Sequence, residues 1–431
     1  MKVFKFGGTS VNSVERIQNL GQILKRWSGE KIMVIVSAMG KNTNALEKVV
    51  DAFFAGKKDE ALQLFEQVKQ QHLTTAKYVL VTHYLPCEKQ LKDFFTEVEW
   101  LLHDKPVRDY DYYYDQVVCA GELFSTAIVS AYLNETGIKN KWMDVRDIFR
   151  TDDDFRDASI DWEFTMGRVQ HLVVEEFKHT DIVITQGFIG ATDENESTTL
   201  GREGSDYSAA VFANMLDAEN LTIWKDVEAV MNADPKQFQD AVPIPELNYN
   251  EVIEMAYYGA QVIHPKTIKP LQNKNIPLYV KSFLDPSLPG TIIHNKPVHN
   301  LPAIIVLKEN QVMLEMRSRN FSFIGEEHVG HLYNVFERLH VKPNLTQNGA
   351  ISFISVLDDR TEKIEKLALE ASAFLDVQVT KGLSLLTIRH YTKETFEKLT
   401  KEKSILLRQQ TPETIQVLMT MQDGLNKIFN S

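Results

Sequence analysis

The sequence predicts an α/β sandwich with a mainly parallel sheet, followed by a smaller region that uses one strand–helix pattern twice. Three observations lead there. Short runs such as Ile32-Met33-Val34-Ile35-Val36 are apolar throughout, as in strands buried on both faces. Longer stretches of helical periodicity separate them. Past a stretch rich in Pro and Gly the pattern changes and then recurs.

Taken in order, residues 2–6 alternate polar and apolar and stop at Gly7-Gly8, which predicts a strand entering a turn. Helical periodicity follows from 14 to 27. Residues 32–36 give a second strand, ending in the small, polar turn 37–44. Both turns therefore follow strand ends, the edge at which ligands bind in open α/β sheets. Residues 45–135 read as mostly helical, with one helix starting at Ala120 and the aromatic run 110–114 packed at another helix start. Further buried strands are expected at 181–187, 221–227 and 276–281. The stretch 285–291, with Pro297 and Pro302 beyond it, is the expected boundary between domains 1–295 and 296–431. After it come strand 311–316, helix 331–340, strand 351–357, helix 361–374 and strand 376–379. Strand 384–389, helix 393–401, strands 405–409 and 414–419 and helix 422–429 repeat the theme. A βαββαβ unit of ferredoxin-like type, about 60–70 residues long and used twice, accounts for both halves.

Composition narrows the function. A chain of 431 residues is too long for one ordinary core. Its formal net charge of -12 argues against a general nucleic-acid binder and against docking on anionic lipid. Cys87 and Cys119 are too few for a disulfide framework or a Cys-ligated zinc, and are expected as reduced thiols. No run of about 18 apolar residues suggests a membrane span. The first residues lack a leader pattern, so a cytoplasmic protein is expected.

Two segments carry the chemistry: Lys5-Phe6-Gly7-Gly8-Thr9-Ser10 and Gly201-Arg202-Glu203-Gly204-Ser205-Asp206-Tyr207. Glycine lets the backbone approach an anion, and successive N–H groups then cradle it. Lys5 can reach a phosphoryl oxygen as a point charge. Asp206 can orient that lysine or help hold a metal. Neither segment is a Walker A loop, and the protein-kinase signatures are absent. Asp144-Val145-Arg146-Asp147 lacks the His and the downstream Asn of a kinase catalytic loop.

In this order the motifs resemble those of the aspartate kinases, within the amino-acid kinase family, over essentially the whole chain. Lys5 to Ser10 with Val11 looks like that family's first signature. Gly187-Phe188-Ile189-Gly190, Thr198-Thr199-Leu200-Gly201-Arg202 and Gly204-Ser205-Asp206-Tyr207 look like its second. Trp224, Asp226 and Asp234-Pro235 resemble its nucleotide region, and Gly259-Ala260 with His264-Pro265 resembles the stretch closing that site. The repeated C-terminal unit is similar to paired ACT domains, which bind regulatory amino acids.

The resemblance implies phosphate transfer from ATP, with Mg²⁺, to L-aspartate, giving 4-phospho-L-aspartate and ADP for lysine, methionine and threonine synthesis. It implies Lys5 and Asp206 as the catalytic pair, with Gly7, Gly8 and Ser10 donating to phosphate. Lys225, Asp226, Met231 and Lys236 would form the nucleotide region. Arg202 would hold a substrate carboxylate, Glu122 its ammonium, and Ser37 and Thr43 would add hydroxyl contacts. Plainer readings stay open: Glu122 as a helix-start residue, Arg202 as an ion-pair member, Ser37 and Thr43 as loop caps. The nucleophile is a carboxylate with a free pKa of about 4, so no general base is needed. His264 accordingly reads as structural. Mg²⁺ would be held by water and phosphate oxygens rather than by protein ligands.

Departures from the family pattern are visible. Glu203 stands where Gly is frequent, Lys225 where Thr is, Met231 and Lys236 where Tyr and Arg are, and Gln261 replaces a frequent Lys. Lys225 or Lys236 is expected to replace the missing positive charge. Ser318, Asn320, Asn344 and Gln347 are the expected effector contacts, for lysine or threonine, with a plain hairpin as the other reading. Paired ACT units imply a homodimer or a larger homo-oligomer. Two alternatives remain: a related kinase acting on acetylglutamate, glutamate, carbamate or UMP, and a non-catalytic amino-acid sensor.

Overall fold

The computed structural model describes residues 1–319 and 322–420. They form two compact units. The first comprises Met1–Val230, Pro243–Ala256 and Gln261–Val298. The second comprises Met231–Val242, Tyr257–Ala260 and the residues from His299 on.

The first unit opens with β1 (Lys2–Phe6), α1 (Val14–Lys25) and β2 (Ile32–Val36). Ser13 caps α1, its hydroxyl accepting the Arg16 N–H at 3.3 Å. A helical stretch follows: α2 (Asn42–Phe54), α3 (Lys58–Val79), α4 (Tyr84–His103), α5 (Tyr110–Val118) and α6 (Ala120–Glu135). Next come β3 (Lys141–Trp142), α7 (Trp162–Arg168), α8 (Val174–Glu176), β4 (Ile182–Gln186), the hairpin β5 (Ile189–Ala191) and β6 (Ser197–Thr199), α9 (Gly204–Met215) and β7 (Asn220–Lys225). The series ends with β8 (Glu246–Asn248), α10 (Tyr249–Tyr258), α11 (Pro265–Lys274), β9 (Leu278–Ser282) and β10 (Thr291–His294).

Eight of these strands form one sheet in the order β3-β4-β2-β1-β7-β9-β10-β8. Every neighbouring pair is parallel except β9 with β10. The chain leaves β1 for β2 on one side and returns at β7 on the other, so β1 lies at the topological switch point. Strand alternation sends Lys5 to one face and Phe4 and Phe6 to the other. Phe4 meets Trp27 and Trp224 edge-on, and Phe6 stacks on Trp224. On the Lys5 face lies α9, buried along its whole length. Its small residues allow close approach: a Cβ on Gly187, just past β4, would stand 2.6 Å from the Ser205 Cβ.

One part of the helical stretch is more apolar than its sequence suggests. Tyr110–Glu135 is long and apolar enough by composition to cross a bilayer, although interspersed polar residues hid this in the sequence. Within the fold 89% of its apolar window is buried, as in a core helix. Cys87 and Cys119 are free and buried.

The second unit carries β11 (Ile304–Arg317), α12 (Glu326–Arg338), β12 (Leu345–Asn348), β13 (Ser352–Asp358), α13 (Thr361–Ala371), β14 (Asp376–Arg389), α14 (Lys393–Thr400), β15 (Ser404–Gln410) and β16 (Thr414–Thr420). They make one antiparallel sheet, β12-β13-β11-β14-β16-β15. Two ACT-like halves share it. Val312, Leu314 and Met316 pack with Phe336 and Leu367 in one core, and Ile388, Ile415 and Val417 form another.

Two expectations change here. Residues 376–379 and 384–389 are one strand, because Gly382, at φ 71°, bends it without ending it. Strand β11 starts at Ile304 rather than 311, and a register shift between Lys308 and Met313 absorbs the irregularity. Residues 345–348 form β12, paired antiparallel with β13, as the plain hairpin reading has it. The expected helix 422–429 lies outside the described residues, as does Asn320.

Candidate active site

A cavity of about 460 Å³ opens at the carboxyl edge of the parallel sheet, in the first unit. Lys5 ends in it from β1. Its ammonium lies 2.6 Å from an Asp206 oxygen, and Asp206 stands in the first turn of α9. The Lys225 ammonium, at the end of β7, lies 3.9 Å from the other Asp206 oxygen. Burial pushes the Asp206 carboxyl towards protonation, but the Lys5 and Lys225 charges outweigh it and hold it below the ordinary value. Asp206 is thus an anion set between two cations.

The turns above this pair are close-packed. Gly7 and Gly8 follow β1, and a Cβ on Gly8 would come within 2.5 Å of the Ala38 carbonyl oxygen. Ser10 donates its N–H to the Gly7 carbonyl at 2.9 Å, and its buried hydroxyl has no protein partner. The opposite turn, after β2, is fastened to α6. Ser125 donates to the Ser37 carbonyl at 2.6 Å, and the Ala38 N–H donates to Glu122 Oε1 at 3.2 Å.

Glu122 is strongly perturbed. It is 3% exposed, its Oε2 has no protein partner, and burial raises its carboxyl to about 8. With Glu122, the sequence-derived residues Lys5, Gly8, Ser37, Thr43, Arg202 and Asp206 line the cavity. Arg202 is exposed at its mouth. No histidine lines it.

Sequence reasoning missed part of the wall. Tyr114, Arg156 and Thr199 also line it. Asp115, buried on α5, organises two of them: its oxygens accept the Thr199 hydroxyl at 2.6 Å, the Thr199 N–H at 2.7 Å and the Arg156 N–H at 3.0 Å. Burial raises the Asp115 carboxyl to about 6. The Arg156 guanidinium lies over the Tyr114 ring at 4.4 Å and pairs with Asp111 at 2.8 Å. Thr199 stood within a quoted motif, whereas Arg156 lies in an acidic stretch that reads as a solvated loop.

The chain that builds this cavity, on Gly-rich turns at the switch point with a Lys–Asp pair inside, is similar to known proteins. The amino acid kinase family model matches residues 1–282. Aspartokinase 1, chloroplastic, of Arabidopsis thaliana is 31% identical over 90% of this chain and 70% of its own length. Lysine-sensitive aspartokinase 3 of Escherichia coli is 30% identical over 90% of this chain and 86% of its own. The chain belongs to the aspartokinases of the amino acid kinase family. Its fold agrees: Escherichia coli aspartokinase III, solved with lysine and aspartate, superposes with a TM-score of 0.82 at 27% identity, covering 97% of this chain and 95% of that one. The same enzyme solved with aspartate and ADP also gives 0.82, at 26% identity over 97% and 96%.

In this aspartokinase the remaining sequence-derived positions lie elsewhere. Asp226 pairs with Arg16 at 2.6 Å, and Arg16 also donates to the Thr9 carbonyl at 3.0 Å, which braces the first glycine turn from outside. Met231 and Lys236 belong to the second unit, where the Lys236 N–H donates to Asp234 at 2.9 Å. Among the effector candidates, the Asn344 amide is engaged by Lys308 at 2.7 Å and by Gln311 and Asp358 at 2.8 Å each. Ser318 donates its N–H to the Ile351 carbonyl at 3.0 Å, and Gln347 is exposed on β12. His264 caps α11, its ring accepting the Lys266 N–H at 3.2 Å.

Proposed function

We propose that this chain phosphorylates the side-chain carboxylate of L-aspartate with ATP, giving 4-phospho-L-aspartate and ADP, at the start of lysine, methionine and threonine synthesis. The observation that carries the reading is the Lys5–Asp206 pair at the floor of a cavity whose wall holds Glu122 with a free oxygen. Glu122 Oε2 takes the substrate ammonium. Arg202 takes the α-carboxylate, with hydroxyl contacts from Ser37 and Thr43.

The β-carboxylate is ionised at neutral pH and attacks the γ-phosphorus directly. Its oxygen forms the new P–O bond as the bond to the bridging oxygen of ADP breaks. No proton moves, so a cavity without histidine suffices. Lys5 neutralises the transferring phosphoryl group, and Asp206 keeps its ammonium aimed there. Gly7, Gly8 and Ser10 offer N–H groups and a hydroxyl whose lone partnerless state fits a phosphate oxygen. Lys225 adds a second ammonium on the phosphate side.

The donor set fits Mg²⁺ carried on the nucleotide. Among the described residues no three acidic, His or Cys groups cluster, and both Asp206 oxygens already face ammoniums. Asp206 is the side chain placed to touch the water shell of the ion. Bound there, Mg²⁺ supplies charge neutralisation of the phosphates.

A regulatory amino acid, lysine or threonine, is assigned to the ACT-like unit. Strands β12 and β15 are its sheet edges, and Ile405 and Leu406 are exposed on β15, which supports assembly with a second copy. The free buried thiols suit a cytoplasmic enzyme. The test is hydroxamate formation with Mg-ATP, L-aspartate and hydroxylamine. Aspartate-dependent product should fall by about 10²–10³ in Lys5→Ala, the cost of one group aimed at developing charge. Folded protein that binds an amino acid and makes no hydroxamate would support the sensor reading instead.

A further inference from the structure

The Glu203 side chain has a task that the reaction above does not give it. Glu203 precedes α9 with φ 55°, a left-handed conformation that glycine adopts at little cost and glutamate rarely. Its carboxylate Oε2 accepts the His264 N–H at 3.0 Å, tying the start of α11 to the start of α9. Two residues earlier, the Val262 carbonyl accepts a hydrogen bond from Lys225 Nζ at 2.6 Å, and that same ammonium stands 3.9 Å from Asp206. Lys266, two residues later, donates to the Leu200 carbonyl at 3.1 Å and pairs with Asp157 at 3.1 Å. Residues 262–266 are therefore a strap, fixed at three points to the rim and floor of the catalytic cavity.

We propose that Glu203 is a positioning residue for nucleotide binding, acting through this strap on Lys225. The causal order is short. Glu203 fixes the His264 N–H, which fixes the Val262 carbonyl two residues away. That carbonyl holds the Lys225 ammonium beside Asp206, where the phosphates arrive. A carboxylate near phosphates is then tolerable, because its charge is turned to a backbone donor at the rim. The inference rests on the kinase reading for what the ammonium meets.

Glu203→Gly, Glu203→Gln and Lys225→Met separate the possibilities. Glutamine keeps a carbonyl acceptor for the His264 N–H, whereas glycine removes it while suiting the backbone. Losing a hydrogen bond to a charged group costs about tenfold in an equilibrium, so KM for Mg-ATP should rise by about tenfold in Glu203→Gly. It should stay within about twofold of the parent in Glu203→Gln, and KM for aspartate should hardly move in either. Because glycine is at ease at this φ, Glu203→Gly should melt no lower than the parent, so the loss is not one of folding. Glu203→Gly combined with Lys225→Met should be no worse than Lys225→Met alone, the signature of two residues acting as one unit. Hydrogen–deuterium exchange with ADP alone reads the strap without turnover: amides of 262–266 should exchange faster in Glu203→Gly and as in the parent in Glu203→Gln. Unchanged exchange and ATP KM in Glu203→Gly, or additive losses in the double variant, would overturn the inference. Absent hydroxamate with altered strap exchange would fault the kinase reading alone.

Discussion

Glu122 shows how much one residue can set. Its carboxyl, raised to about 8, is protonated in the free site at neutral pH. In its proposed role, pairing with the substrate ammonium, it must be ionised. Aspartate binding must therefore remove a proton below pH 8, and kcat/KM for aspartate is expected to rise with pH until about 8 and then level. Profiles of kcat/KM and kcat against pH check this; in Glu122→Gln the rise should vanish and aspartate KM should climb by about 10- to 100-fold. Arg156→Ala should raise aspartate KM by a smaller factor, about threefold to tenfold, since its exposed guanidinium works in water. These two residues also mark what the sequence can reveal. Lys5, Asp206 and Arg202 were legible because each stands in a motif, and Glu122 only through the family resemblance. Arg156 and Asp115 were not: one owes its place to a turn at φ 73°, the other to three hydrogen bonds with distant backbone and hydroxyl groups.

Among elements, the helical layer of α3, α4 and α6 holds a titrating group with no catalytic use. His72 is fully buried against Phe124, and its Nδ1 donates to the Val68 carbonyl at 2.7 Å. Burial lowers it from 6.5 to about 4. Between those values the unfolded chain takes up a proton that the folded chain refuses, so stability falls as pH drops from about 6.5 towards 4. The full loss from this residue approaches ~3 kcal/mol. Thermal melts across that range should show the decline, and His72→Phe should flatten it. At the sheet, Gly187→Ala should cost about 1–3 kcal/mol, because its Cβ meets α9 backbone and Ser205. Strands β2, β4 and β7 were legible because burial on both faces leaves a largely apolar run, and β1 because polar and apolar residues alternate up to Gly7-Gly8. Strands β3, β5, β6, β8, β10 and β12 have two to four residues each, too few for any period to declare itself. Strand β14 hid behind Gly382, a residue that marks a chain break and a bend alike.

At the scale of the whole molecule, sequence order and compact units do not coincide. Residues 231–242 and 257–260 interrupt the first unit in sequence yet belong to the second. Asn232 donates its side-chain amide to the Ala303 carbonyl at 2.9 Å, and its own carbonyl accepts the Ile305 N–H at 2.7 Å. A fragment ending at 298 would keep that segment and lose its partners. It is expected to melt below the full chain and to associate, which calorimetry and light scattering would detect. The histidine-free cavity has an effect beyond the transfer itself. An acyl phosphate is a mixed anhydride, prey to any water that a neighbouring base can sharpen. Asp206 faces two cations and Glu203 a backbone N–H, and with the proposed ammonium on Glu122 no idle base remains beside the new bond. The fold that dispenses with a base to make its product thereby spares it from hydrolysis, and the enzyme can release it whole.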